Sequence, residues 1–120
     1  MKYELSQKFY FEAAHTLDRA IEAEGSRRIH GHTYHAQLTI AGTPCANTGM
    51  LADLGFVRRE IARVRDSLDH RFLDEVEGLG PATLENLCRF IFVSLADVLP
   101  GLTKVTVERQ ASGDSCCLSK

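Results

Sequence analysis

The sequence predicts an α+β domain, with helices packed on one face of a mainly antiparallel sheet. Three observations carry this. Residues 3 to 15 and 32 to 41 have strand character, two later segments place apolar residues at helical spacing, and a further strand lies within residues 102 to 109. With 120 residues the chain is long enough for one compact domain, assigned to residues 1 to 120, and it shows no repeats, linkers or low-complexity segments.

Residues 3 to 15 alternate poorly but are rich in aromatics, which suits a strand. Residues 16 to 29 form a polar connection, with a short helical piece expected around Ala20 to Ala23. Along residues 32 to 41, Tyr34, Ala36, Leu38 and Ile40 take one face and Thr33, His35, Gln37 and Thr39 the other. Gly42-Thr43-Pro44 breaks that strand and Asn47-Thr48-Gly49 turns the chain. Asp53 is the expected cap of a helix bearing Val57, Ile61, Val64 and Leu68, which ends through Leu68 to Leu73. Thr83 is the expected cap of a second helix bearing Leu84, Leu87, Ile91, Leu95 and Val98, stopped by Pro100-Gly101. Val105-Thr106-Val107 marks the last strand, and no element is assigned to residues 111 to 120.

Composition excludes several function classes. The formal net charge is -2 and the isoelectric point about 6.2, so no basic field points to nucleic acid and no basic amphipathic helix to a membrane surface. Residues 1 to 6 lack an apolar signal core, and no apolar run reaches the length of a bilayer span. Cys45, Cys88, Cys116 and Cys117 have no metal-site or disulfide-framework spacing. Four unpaired thiols fit a reducing compartment and a cytoplasmic protein.

Chemistry concentrates at His30-Gly31-His32, which opens a strand. Residues two apart on a strand share a face, so the two imidazoles stand side by side. His15, at the end of the preceding strand-like run, supplies a third. Three histidines and an open position make a common catalytic zinc site. The alternative, half-exposed strand histidines without a metal, is outweighed by the third histidine. Gly31 leaves room for close backbone approach. Asp69-His70 sets a carboxylate beside an imidazole; on its own it reads as a histidine near a helix C-terminus.

Five segments stand in order: Phe11 to His15, His30 to Tyr34, Gly49 to Leu54, Leu68 to Leu73 and Pro81 to Asn86. Together they resemble the 6-pyruvoyl-tetrahydropterin synthase / 6-carboxytetrahydropterin synthase family over nearly the whole chain. The resemblance implies the tunnelling fold: a four-stranded antiparallel sheet with two helices on one face, trimerising into a barrel and often pairing into a hexamer. It implies Zn2+ on His15, His30 and His32. It implies conversion of 7,8-dihydroneopterin triphosphate to 6-carboxy-5,6,7,8-tetrahydropterin, a precursor on the way to queuosine, with loss of acetaldehyde and triphosphate. It places Asp69 and His70 in a proton relay, and Thr83 and Glu85 along the pterin pocket, where Thr83 also suits a helix cap. Arg27 and Arg28 lie where guanidinium groups meet a triphosphate or remain in solvent.

Two departures from the family pattern matter. The cysteine of the motif Cys-x-x-x-His-Gly-His is Ser26 here, and a hydroxyl needs a neighbouring base to act. A second family spacing puts the reactive residue at Glu24, which is either such a base or a solvated loop carboxylate. In the last strand, the family's pterin-holding glutamate aligns with Arg109, with Glu108 one residue early. Either a bulge brings Glu108 to the pterin or the anchor is altered. Two other readings follow from the missing thiol: an enzyme forming a different pterin product, and a zinc and pterin-binding protein without catalysis.

Overall fold

The computed structural model describes all 120 residues. Strand β1 (Tyr3–His15) is followed by a single helical turn, α1 (Ala23–Arg27), and by β2 (His30–Gly42). Helices α2 (Leu54–Asp66) and α3 (Leu84–Ala96) come next, separated by a 3-10 turn at Leu73–Glu75. Strands β3 (Leu102–Arg109) and β4 (Asp114–Ser119) complete the chain. The four strands form one antiparallel sheet in the order β1-β2-β3-β4.

Alternation along the strands decides which face is covered. Phe11 and Ala13 of β1, Tyr34, Ala36, Leu38 and Ile40 of β2, and Leu102, Val105 and Val107 of β3 are buried together. They meet Val57, Ile61 and Val64 of α2 and Leu84, Leu87, Cys88, Ile91 and Leu95 of α3. Both expected caps are present: Asp53 accepts from the Gly55 N–H at 2.8 Å and Thr83 from the Asn86 N–H at 3.1 Å. Each is worth about 1 kcal/mol to its helix. A register shift between Thr39 and Ile40 keeps Leu102 and Val105 on the same face. There the Ala41 N–H donates to the Gly101 carbonyl, and a Cβ on Gly101 would lie 2.9 Å from Ile40 Cγ2. Only glycine allows that approach.

Three expectations are corrected. The fold has three helices rather than two, because the polar connection winds into α1 at Ala23–Arg27, a few residues beyond Ala20 to Ala23. Helix α2 stops at Asp66, and Leu68 to Leu73 forms turns that close on β1. The unassigned tail pairs with β3 as β4, although its own sequence alternates weakly.

The molecule is elongated, 56 × 24 × 22 Å, because two 13-residue strands run along it. Both β1 and β4 are edge strands, and most of β4 is exposed. Unpaired edges of this length are ordinarily covered by another chain or closed into a barrel. No helix is long and apolar enough to cross a membrane. Association with further copies of the chain is therefore expected, as the trimer or hexamer that the family resemblance implies. Light scattering at micromolar concentration checks it, and a monomer would contradict it.

Candidate metal centre and its cleft

The β1–β2 register sets His15 opposite His30 and Ala13 opposite His32. All three imidazoles therefore fall on the core face, at the end of the sheet where core packing runs out. Ring centroids lie 4.5 to 4.9 Å apart, and one ligand nitrogen from each lies within 4.8 Å of the others. Such a group can hold a metal ion. Gly31 is not required sterically, since a Cβ there would meet only the Ala13 carbonyl, at 3.6 Å.

The ring orientations suit a metal. His15 Nδ1 donates to the Ala82 carbonyl at 3.0 Å, and His30 Nδ1 to the Arg28 carbonyl at 2.7 Å. Each bond fixes a tautomer and leaves Nε2 as the free donor, as backbone carbonyls do behind metal-bound histidines. His15 Nε2 and His32 Nε2 face one another at 3.0 Å. Burial pushes the pKa of His32 down to about 4, helped by the charges of His15, Arg109 and His30. Burial likewise lowers His15, against the pull of the Ala82 carbonyl. Both rings are neutral near pH 7, the form a metal needs.

The second group sits where the chain after α2 docks on the edge of β1. After α2 the chain turns through His70 in the left-handed region, φ 58°. The His70 N–H donates to the Glu12 carbonyl at 2.6 Å and the Ala14 N–H to the Arg71 carbonyl at 3.1 Å, which docks this segment on β1. A non-glycine residue in that region carries strain, held here by those bonds. Asp69 accepts from the Glu12 N–H at 3.0 Å, from His70 Nδ1 at 2.9 Å and from Arg65 at 3.3 Å. The Glu12 N–H above all, with His70 and Arg65, keeps its carboxyl below the usual range. His70, 76% exposed, shares a cleft of about 550 Å³ with His32, Gly31, Glu12 and Phe72. Glu12, Ala14, Gly31 and Thr33, which also line it, alternate with the triad along β1 and β2, so this cleft opens on the face of the sheet opposite the three imidazoles. An imidazole held by a carboxylate is suited to moving protons.

The other expected residues are placed unevenly. Ser26 is buried; its Oγ donates to the Ala23 carbonyl at 2.9 Å and accepts from the Arg19 N–H at 3.2 Å. Its hydroxyl is occupied in closing α1. Glu24 is exposed and paired with Arg28 at 2.9 Å. Thr83 is spent as a cap, and Glu85 is exposed in the first turn of α3. Glu108 pairs with His35 with no bulge between them, so it stands on the face opposite the histidines. The bulge that would bring it across is absent.

Several residues at the site escape sequence reasoning. The Ala82 carbonyl carries no side-chain signal. Asp74 accepts from both the N–H and the hydroxyl of Thr16, which anchors the chain just after His15. Tyr34 lies beneath the histidines, its ring centroid 5.6 Å from that of His32, and its buried hydroxyl has no partner. Its position two residues beyond His32 was the available signal.

A pH dependence follows. The unfolded chain protonates its histidines near pH 6.5, whereas folded His32 resists protonation down to about 4. The unfolded state binds more protons between these values, so the metal-free fold loses stability as pH falls from about 6.5 to about 4. Urea unfolding of metal-free wild type and His32→Gln across this range checks it; the expected slope is shallower in the variant, and equal slopes would contradict the assignment.

The family model described as 6-pyruvoyl tetrahydropterin synthase matches residues 4–118. A 6-carboxy-5,6,7,8-tetrahydropterin synthase of Synechocystis sp. is 34% identical over 108 residues, covering 84% of this chain and 81% of that protein. A putative 6-pyruvoyl tetrahydrobiopterin synthase of Caenorhabditis elegans is 32% identical over 114 residues, covering 82% and 81%. The solved structure of Caenorhabditis elegans 6-pyruvoyl tetrahydropterin synthase superposes with a TM-score of 0.87 at 25% identity, covering 100% of this chain and 96% of that one. The chain belongs to the 6-pyruvoyl tetrahydropterin synthase family.

Proposed function

We propose that the protein is a zinc-dependent lyase that converts 7,8-dihydroneopterin triphosphate to 6-carboxy-5,6,7,8-tetrahydropterin, releasing acetaldehyde and triphosphate, and that it serves queuosine precursor synthesis in the cytoplasm. The observation that carries this reading is the cluster of His15, His30 and His32, whose ligand nitrogens lie within 4.8 Å of one another; Asp69-held His70 supplies an exposed imidazole. Family membership and the Synechocystis relative support the substrate class.

Zinc on His15, His30 and His32 would act as a Lewis acid on the side-chain oxygens of the pterin and acidify the neighbouring C–H. Asp69 fixes His70 with its proton on Nδ1 and leaves Nε2 to accept the proton taken from carbon. Asp69 then stabilises the imidazolium until the proton is returned. Arg28, 73% exposed and joined only to Glu24, is free to exchange that partner for a substrate phosphate.

One observation favours a second reading. The Ser26 hydroxyl is engaged within α1 and stands where the family motif has a thiol. A carboxylate base such as Glu24 would then direct cleavage to a shorter pterin side chain.

Turnover of 7,8-dihydroneopterin triphosphate with product identification separates the two. His70→Ala is expected to lower the rate roughly 10²–10⁴-fold. Alkylation is expected to leave activity intact: Cys88 is buried, with its thiol pushed up to about 12, and exposed Cys45, whose pKa the Thr48 N–H lowers, lies outside the cleft. Wild-type rates in His70→Ala, or inactivation of a folded protein by alkylation, would contradict the mechanism.

A further inference from the structure

The end of β1 that carries His15 is held from outside as well as by β2. Alternate N–H groups along its outer edge all find partners in the segment after α2. That of Glu12 donates to Asp69 at 3.0 Å, that of Ala14 to the Arg71 carbonyl at 3.1 Å and that of Thr16 to Asp74 at 2.9 Å. The His70 N–H returns to the Glu12 carbonyl at 2.6 Å, and Ala14 and Phe72 form a parallel bridge. Residues 69 to 74 thus cover the edge as a short surrogate strand, with backbone groups in the middle and a carboxylate at each end.

The carboxylate at the far end acts beside the histidines. His15 and His30 are the last pair of the β1–β2 ladder, so the chain leaves the sheet at Thr16. There Asp74 takes both donors of Thr16, the N–H through Oδ1 and the hydroxyl through Oδ2. These bonds fix the backbone just after His15, while the Ala82 carbonyl fixes its ring through Nδ1 at 3.0 Å. Asp74 and Ala82 both belong to the connection between α2 and α3, so one connection grips His15 at two points. The charge of Asp74 is a weaker influence on His15 than burial, the Ala82 carbonyl or the charges of His30 and Arg109. What Asp74 contributes is therefore the pair of bonds to Thr16. A strand end released from such bonds frays. A ligand set that is in place only part of the time binds its metal more weakly by that fraction.

We propose that Asp74 is a positioning residue of the metal centre, holding His15 through Thr16 in the place from which it binds zinc. This role rests on the zinc reading above.

Competition for zinc with a chromophoric chelator, together with the visible spectrum of the cobalt(II)-loaded protein, tests it. Asp74→Ala is expected to weaken zinc binding roughly 10–100-fold and to change the cobalt spectrum. Thr16→Val removes only the hydroxyl bond and should weaken zinc by about threefold or more, which keeps the test open if Asp74→Ala does not fold. Asp74→Asn loses the charge but keeps an acceptor for the N–H and a partner for the hydroxyl, and should stay within about twofold of wild type. Asp53→Ala removes the cap of α2 and destabilises the fold away from this strand end; it too should stay within about twofold. Wild-type affinity and spectrum in Asp74→Ala or Thr16→Val, an Asp74→Asn protein as weak as Asp74→Ala, or equal weakening in Asp53→Ala would overturn the positioning role alone. A wild type that takes up neither zinc nor cobalt would overturn the zinc reading and this role together.

Discussion

The pairing of β1 with β2 is the constraint on which the rest depends. Over thirteen residues it sets Phe11 opposite Tyr34 and His15 opposite His30. A slip of one residue would turn Tyr34, Ala36, Leu38 and Ile40 to the wrong face, and His30 and His32 with them. The burial that specifies the register therefore also brings the three histidines together. They need no separate device, only the continuation of the core's alternation past the point where helices cover it.

That placement gives the triad its character. Close to the core, His15 and His32 lose water and remain neutral, and the Ala82 and Arg28 carbonyls orient His15 and His30. The Asp69–His70 segment is held differently. His70 sits on a turn in a strained conformation, fixed by backbone bonds to Glu12, and its ring is largely exposed. The triad offers neutral donors, and His70 offers an exposed imidazole held by a carboxylate. The division matches the two tasks the proposed reaction needs, polarising a substrate oxygen and moving a proton.

Much of this was legible in the sequence because it rests on local patterns. Period-two burial located β2, apolar spacing located α2 and α3, and Asp53 and Thr83 announced their caps. The histidine spacing pointed to the triad for the same reason. What was not legible depends on partners distant in sequence. Strand β4 alternates poorly and exists because β3 offers it a ladder. Helix α1 is a single turn closed by the hydroxyl of Ser26. The Ala82 carbonyl reaches His15 from 67 residues away. The face that Glu108 takes turns on strand register, which a one-residue bulge could have reversed.

The central claim is that the register-set histidines form one three-nitrogen metal site. X-ray absorption at the zinc edge of the zinc-loaded protein tests it most directly. The account predicts one zinc per chain with three imidazole nitrogens at about 2.0–2.1 Å and one oxygen ligand completing the shell. A sulfur shell at about 2.3 Å, or a spectrum unchanged in His30→Ala and His32→Ala, would contradict it.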